Sequence, residues 1–387
     1  MFCLKIVALD LHFKLYTMAA IGSNIRFKAG KDLEFFGVLR ARVDDYFTSN
    51  GISKHANNQM VIKTIVLLVG YIAPFIAIVV FQPSFIIALC LWVVMGFALS
   101  GIGMSVMHDA NHGAYSSSTK VNKWVGYSLL LCGGTVDNWK MQHNVLHHTY
   151  TNVNGLDDDI DSKLILRFSP HGEQKAVHKY QWYYAFAFYS ILTIYWGLLK
   201  DIVQFFRYKK LGVNKKSNKQ NAIWLLKVSI SKITYFFIFL ALPVLVSDIP
   251  FYQILLGFLL MHAIAGVILS VVFQLAHAVE ETEFPLPDEN GNMENGWAIH
   301  QLKTTANFSR NSRLISWYVG GLNYQVEHHL FPLICHVHYP KIAPIVEATA
   351  KEFGIPYLEN KTFLGALKSH VSLLRKLGVP RLSEIMG

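Results

Sequence analysis

Two long segments without charged side chains constrain the fold of this chain more than any other feature. The segment from Thr64 to Met107 carries no charge, and the segment from Ile233 to Ala278 carries only Asp248. Pro83 divides the first segment into halves that each exceed the roughly 18 apolar residues of a membrane-spanning helix. The second segment has a similar break at Asp248 and Pro250. The sequence therefore predicts an all-α integral membrane protein with four transmembrane helices in two hairpins.

The flanks of these segments complete the predicted membrane architecture. The first arm of the second hairpin is expected to extend N-terminally through residues 227–232, with the Lys232 ammonium reaching toward the interface. A fifth apolar stretch, residues 181–199, is rich in Trp and Tyr rings and is followed at once by charged residues. This pattern favours an interfacial helix lying along the membrane surface over a fifth span.

Charge and composition limit the function classes. The chain of 387 residues is 52% hydrophobic and 16% charged, against roughly 25% charged in a typical soluble domain. Its net charge of +10 suits anionic lipid headgroups or the phosphates of an acyl carrier, whereas the apolar content argues against a nucleic-acid-binding protein. No CxxC pair occurs, so we expect reduced cysteines in packing roles at Cys3, Cys90, Cys132 and Cys335.

Basic loops predict the orientation in the membrane. Residues 207–219 carry six basic side chains and no acid, and further basic residues precede the first span. By the positive-inside rule this side is cytoplasmic. The expected organisation is a cytoplasmic N-terminal segment (1–60), a membrane domain (61–339) and two cytoplasmic C-terminal helices (340–387), with a cytoplasmic helical cap over the spans.

Histidines cluster where the predicted spans end. His108 and His112 lie four residues apart, so in a helix both imidazoles face the same way. His143 and His147 repeat this spacing, and His148 lies about 100° around the helix, where it could approach a second metal. Two polar residues at a membrane exit would also account for the first pair taken alone, but not easily for three histidines in six residues.

A third cluster contains His328 and His329, preceded by Gln325, and His277 ends the fourth span. Four spans place all these residues on the cytoplasmic side. His262 lies in mid-span, where a hydrogen bond to a neighbouring helix is the expected role. Three further histidines are expected to lie outside the metal-ligand set: His300, His336 and His338.

So many imidazoles indicate a dinuclear metal site. Zinc takes three or four ligands, so eight histidines overfill a mononuclear site, and ligand type alone does not choose among Fe, Cu, Zn and Ni. Two irons with about four nitrogen ligands each would account for the number. Acidic residues could accept the second ring N–H of the ligands, or could form a solvated loop or a helix cap. The candidate acids are Asp109, Asp157, Asp158, Asp159, Asp161 and Glu327.

The order HxxxH, HxxxHH and a terminal HH resembles the membrane fatty acid desaturases, and the resemblance covers about residues 35–375. The segment Gly321-Leu-Asn-Tyr-Gln-Val-Glu-His-His-Leu-Phe-Pro332 is similar to the front-end type, in which Gln replaces the first histidine. It is closest to the bacterial linoleoyl-CoA (Δ6-type) desaturases. Sphingolipid desaturases share this Gln, so regiochemistry stays open.

The resemblance implies O2-dependent insertion of a cis double bond into a long-chain fatty acyl group, such as linoleoyl, by two non-haem irons. It implies that Gln325 stands where a ninth ligand would lie. The implied iron ligands are His108, His112, His143, His147, His148, His277, His328 and His329.

The resemblance also implies partners. The acyl group would ride on CoA or on a membrane lipid, in a bacterial inner membrane or, in a eukaryote, the endoplasmic reticulum. No HPGG haem motif occurs, so electrons are expected from a separate ferredoxin or from cytochrome b5 with its reductase. Rings near the clusters (Trp139, Trp317, Tyr318) could line an acyl tunnel or pack at the interface.

Two alternatives remain at the level of sequence. A related membrane di-iron hydroxylase or a sphingolipid desaturase would use the same metal ligands. A bis-histidine haem protein that only carries electrons would instead need paired histidines inside two spans, whereas these clusters fall outside them.

Overall fold

The computed structural model describes residues 25–28, 31–160 and 165–379, so Cys3 and Asp161 lie outside the described residues. Most of the described chain is helical. In chain order the helices are α1 (Lys31–Ser49), α2 (Asn58–Phe81), α3 (Phe85–His112), α4 (Thr119–Gly126), α5 (Val136–Trp139, continuing as Lys140–His147 and His148–Tyr150), α6 (Ala176–Tyr189), α7 (Leu192–Lys210), α8 (Asn218–Val246), α9 (Phe251–His277), α10 (Trp297–Thr304), α11 (Arg313–Tyr318), α12 (Gln325–Leu330), α13 (Tyr339–Glu352) and α14 (Phe363–Leu377).

In the described part of the chain, four helices are long and apolar enough to cross a membrane, as predicted: α2, α3, α8 and α9. Pro83 separates the first two, and Gln82 ends α2 in the left-handed conformation with φ 42°. α8 begins at Asn218, earlier than the predicted extension through 227–232. Its start is fixed by Ser217 and Gln220, whose side chains each accept a hydrogen bond from the other residue's backbone N–H.

The four long helices differ in how much of their surface the protein covers. About half of the apolar window is buried in α3 (50%) and α9 (56%), but only 22% in α2 and α8. α3 and α9 pack against each other so closely that a Cβ on Gly257 would lie 2.0 Å from a ring carbon of Trp92. The outer helices instead expose apolar side chains such as Val69 and Ile233. Apolar surface of this extent suits contact with lipid.

Lys232 behaves differently from the prediction. Its ammonium does not reach out to the interface: it pairs with the Asp201 carboxylate and donates to the carbonyls of Gly133 and Trp196. The side chain is 12% exposed. The buried carboxylate of Asp201 outweighs the hydration that would draw the ammonium outward, so this lysine ties α8 to α7.

The apolar stretch at 181–199 is not one continuous helix. α6 and α7 meet at Ser190 and Ile191 with a bend of 65°. The break lies against α9, where a Cβ on Gly266 would come within 2.6 Å of the Tyr189 carbonyl oxygen. Thr193 then donates to the His262 carbonyl and fixes α7 on α9. The prediction of a single interfacial helix is therefore wrong about its continuity.

Two short parallel strand pairs tie the termini to the histidine-bearing region. β1 (Arg26–Phe27) pairs with β2 (Asn292–Met293). β3 (Ala306–Phe308) pairs with β4 (Leu358–Asn360), which lies between α13 and α14. The described part of the C-terminal segment thus contains the two predicted helices, α13 and α14, and β4 anchors them.

Candidate metal centre

The eight histidines of the sequence clusters lie side by side, although they come from four helices. Each is at most 8% exposed. They lie on the C-terminal end of α3 (His108, His112), on α5 (His143, His147, His148), on the last residue of α9 (His277) and on α12 (His328, His329).

Their ring nitrogens form two neighbouring groups, each with ligand atoms within 4.8 Å of one another. The first group contains four histidines and the second contains three. His148 lies between the groups, with its ring centroid 4.8 Å from that of His112 and 4.3 Å from that of His329. The groups are His108, His112, His143 and His328, and then His147, His277 and His329.

A π-helix explains how one short segment serves both groups. Residues 140–147 of α5 are wound as a π-helix, and the backbone N–H of His148 bonds to the His143 carbonyl, five residues earlier. In that geometry residue i+5, rather than i+4, closes the turn. The prediction that His148 lies about 100° around the helix from the face shared by His143 and His147 is therefore wrong. The two rings share a face, with their Nε2 atoms 3.3 Å apart.

The Nε2 atoms have the environment expected of metal ligands. Buried polar atoms normally have hydrogen-bond partners. Among the described residues, no partner reaches the buried Nε2 atoms of five of these histidines, and those of His108, His143 and His148 meet only one another. The five are His112, His147, His277, His328 and His329. Cations placed between these nitrogens would satisfy them all, so the residues fit two metal ions.

Several of the opposite ring nitrogens are held by hydrogen bonds. The Nδ1 of His147 lies 3.1 Å from a carboxylate oxygen of Asp157, as the sequence predicted. The Nδ1 of His329 lies 2.8 Å from the Gln301 amide oxygen. Such contacts fix the tautomer and direct Nε2 toward the metal. Two more ring nitrogens have such contacts. The Nδ1 of His328 is 3.1 Å from the Tyr339 hydroxyl, and the Nδ1 of His277 is 3.4 Å from the Thr304 carbonyl oxygen.

Sequence reasoning missed three of these partners: Gln301, Thr304 and Tyr339. It searched for acids near the histidines along the chain, whereas these groups are neutral and come from α10 and α13. The spacing of Gln301 and Thr304 on one face of α10, both fully buried, is the signal that could have found them.

Two of the other predicted acids, Asp158 and Glu327, have other partners. Asp158 binds Arg207 and Tyr208. Glu327 accepts hydrogen bonds from Asn307 and Tyr357, and so anchors α12 to the strands. Its prediction as a partner of a clustered histidine is wrong. Asp159 lies 3.7 Å from His147 Nδ1 and is also bound by Gln142, while Asp109 lies behind His108.

The protonation state of the clustered histidines also favours metal binding. Burial lowers the pKa of His143, His148, His328 and His329 well below the usual imidazole value, and the neighbouring histidines add to this effect. Neutral imidazole is the form that binds metals. His147 differs: burial lowers its pKa, but the nearby carboxylates of Asp157 and Asp159 together raise its pKa above the usual imidazole value. The Asp157 carboxylate stabilises a proton on Nδ1 and leaves Nε2 for a metal.

The other histidines have local hydrogen-bond partners. His262 lies between the Tyr235 hydroxyl, 2.8 Å from its Nε2, and the Thr193 hydroxyl, 2.9 Å from its Nδ1. This confirms the predicted polar contact with neighbouring helices. His300 and His338 each have a ring nitrogen 2.9 Å from a backbone carbonyl oxygen. These three histidines lie outside both groups.

A cavity of about 260 Å³ lies against the first histidine group. Its wall includes His108, His143 and Gln325, whose buried Oε1 has no hydrogen-bond partner among the described residues. Trp139 lines the cavity, but Trp317 and Tyr318 do not. About half of the other lining residues are polar, among them Gln142, Asp158, Asp159, Lys200 and Gln204. The apolar part of the wall comes mainly from three helices: Gly103, Met104, Met107, Leu192, Trp196, Leu269 and Phe273.

Asp157→Asn is expected to lower metal affinity about 10- to 100-fold, the usual effect of removing a carboxylate behind a ligating histidine. The measurement is metal content after dialysis against a chelator series. Asp158→Asn is the matched control, because this neighbouring buried carboxylate bonds to Arg207 and Tyr208 rather than to a histidine. Equal metal loss in both variants would contradict the assigned role of Asp157.

Comparison with known proteins places this chain among the fatty acid desaturases. The sequence model of the family described as "Fatty acid desaturase" matches residues 83–361. The sn-1 linoleoyl-lipid 6-desaturase of Arthrospira platensis is 37% identical over 94% of this chain and 97% of its own length. A Synechocystis protein of the same name is 35% identical over 91% and 98%. The acyl-lipid (8-3)-desaturase of Physcomitrium patens is 34% identical over 92% of this chain and 74% of its own.

Proposed function

The chain belongs to the fatty acid desaturase family, and from that premise we propose that it inserts a cis double bond at the Δ6 position of a lipid-bound acyl chain such as linoleoyl. The single observation that carries the proposal is the convergence of eight buried imidazoles beside a cavity whose wall is in part apolar. The names of its relatives support an acyl-lipid substrate. The overall reaction converts a CH2–CH2 unit, O2, two electrons and two protons into an alkene and two waters.

We propose that the metals are two irons held by the eight histidines named above. Iron supplies O2 reduction and hydrogen removal from an unactivated methylene when it is bound. The protein's own contribution is orientation: Asp157 and Gln301 fix the rings of His147 and His329. Gln325 completes the set through its carbonyl oxygen, directly or through water, because that atom is buried against the cavity beside His277.

The cavity supports front-end chemistry. In Δ6 insertion the reacting carbon lies five bonds of about 1.5 Å from the ester carbon, so the ester lies within about 8 Å of it. A polar patch lines the same cavity as His108 and His143: Gln142 accepts a hydrogen bond from Gln204, which also donates to Asp158. We propose that the ester lies at this patch and the acyl tail follows the apolar wall.

We propose that the four long helices form two hairpins and that a helical cap carrying the histidines lies on the cytoplasmic side. The basic residues of 207–219 support this orientation. Electrons would come from a soluble ferredoxin or from cytochrome b5 with its reductase. A cysteine replacing Asp248 should react with an impermeant thiol reagent from outside the cell, and one replacing Lys216 only after lysis. The reverse pattern would contradict the proposed orientation.

Product analysis tests the function. The protein is expressed with an electron donor in a host fed linoleic and α-linolenic acids, and double bonds are located by mass spectrometry. The expected result is a new double bond between C6 and C7 of both acids, in the lipid fraction. A hydroxyl group instead would indicate a hydroxylase, and a Soret band in purified protein would indicate a haem carrier. No new unsaturation in iron-loaded protein would overturn the proposal.

A further inference from the structure

A buried lysine lies in α2, one of the two long helices that the protein covers least. Lys63 is 2% exposed, whereas the neighbouring Ile62 is 59% exposed. The Lys63 Nζ lies 2.7 Å from the Nε2 of His336 and 5.3 Å from the centre of the Trp317 ring. A buried ammonium is costly unless it is paired, so these contacts indicate a reason for keeping the charge inside.

The Asp109 carboxylate, which contacts His336, is a reason for keeping this charge inside. The Nδ1 of His336 lies 2.7 Å from Oδ2 of Asp109, and the same oxygen accepts from the backbone N–H of His336 and from the Cys335 thiol. The other oxygen, Oδ1, lies 4.0 Å from Nδ1 of His108. Hydrogen bonds therefore run from Lys63 through His336 to Asp109, and the Asp109 carboxylate lies next to His108 of the first group, beyond hydrogen-bond distance but within electrostatic range.

A separate metal site at Asp109, Cys335 and His336 is the rival explanation, because their ligand atoms also lie within 4.8 Å of one another. Their hydrogen bonds argue against it. The Cys335 thiol and the His336 Nδ1 both point at Asp109, and the His336 Nε2 is taken by the Lys63 ammonium. The eight clustered histidines lack such partners for their converging Nε2 atoms, which is the difference expected between a positioning network and ligands.

We propose that Lys63 and His336 are positioning residues for the metal centre: they hold the Asp109 carboxylate behind His108 and so fix the ring that serves the first histidine group. The inference rests on the proposed di-iron function and extends it. The two groups are then supported differently. Asp157 backs His147 of the second group directly, whereas Asp109 backs His108 with Lys63 and His336 balancing its charge in a buried setting.

Lys63→Met tests this, because methionine keeps much of the side-chain length and removes the ammonium. The purified ⁵⁷Fe-loaded enzyme is analysed by Mössbauer spectroscopy and by iron titration against a chelator. One of the two iron signals is expected to change, and the affinity of that iron to fall about 10- to 100-fold, while the other iron signal stays as in the wild type. Lys63→Arg is expected to restore the wild-type spectrum.

Lys232→Met is the matched control, since this lysine also lies largely buried in a long apolar helix and pairs with an aspartate, but that aspartate, Asp201, accepts hydrogen bonds from Thr135 and Asn138 and does not lie behind a clustered histidine. It is expected to lower thermal stability without changing either iron signal. If Lys63→Met cannot be purified, His336→Gln is used, and the same selective change is expected.

Three results would overturn the inference: unchanged iron signals in the Lys63 and His336 variants, equal loss of both irons, or the same spectral change in Lys232→Met. Failure of the proposed function is separable, because it would appear in the wild type. A wild-type protein that binds no iron pair or makes no double bond refutes the function. A normal wild type with spectroscopically normal Lys63 and His336 variants refutes only the positioning role.

Discussion

His147→Ala is expected to abolish desaturation and to cost the protein at least one of the two proposed irons. The Nε2 of this residue is buried and belongs to the second histidine group, and its Nδ1 is held by Asp157. Removing a residue that hydrogen-bonds a metal ligand typically lowers metal affinity or activity about 10- to 100-fold. Removing the ligand itself should therefore lower turnover by more than about 100-fold. Turnover and iron per protein are measured on the same purified sample.

His262→Ala is the control for His147→Ala. It also removes a fully buried histidine, but one whose two ring nitrogens lie beside the hydroxyls of Tyr235 and Thr193. Each hydroxyl left without its partner should lower the free energy of unfolding by about 1–3 kcal/mol. The iron content and much of the turnover are expected to persist. Equal loss of iron in the two variants would show that the ligand assignment is wrong.

The sequence predicts the long helices well because their signal is physical and local. A segment without charges is expensive to expose to water over more than roughly 18 residues, so the four apolar helices follow from length and composition. Pro83 and the Asp248–Pro250 turn locate the breaks for the same reason. The burial of Lys232 could not be predicted from the sequence. Its partner Asp201 lies 31 residues earlier, on a helix whose bend the sequence does not indicate.

In the candidate metal centre, too, the sequence predicts local features but not the contacts between distant segments. Which histidines come together is readable from spacing and from the parity of four spans. How they come together is not, because the π-helix in α5 places His148 over His143, whereas α-helical geometry would turn it away. Partners such as Gln301 for His329, and Lys63 for His336, join segments far apart in sequence, and no local pattern marks them.

Gly103→Leu is expected to reduce turnover roughly 100-fold or more with both irons retained, because a small displacement of the reacting carbon is sufficient for a loss of that size. Gly103 lines the cavity in a π-helical turn of α3, five residues before His108. A Cβ there would already lie 3.2 Å from the Leu269 side chain on the facing wall. A leucine therefore has to occupy space that the acyl chain needs.

Retention of iron distinguishes this effect from misfolding. Gly103→Ala introduces a smaller side chain, so an intermediate loss of turnover is expected. Gly70→Ala is a suitable control in α2, because its Cβ would meet only the Ala98 side chain at an ordinary 3.5 Å, away from the cavity. Turnover, product position and iron content are compared for the three variants. Wild-type turnover in Gly103→Leu would mean that the acyl chain does not pass Gly103, and the proposed substrate path would then be wrong even if the metal ligands are right.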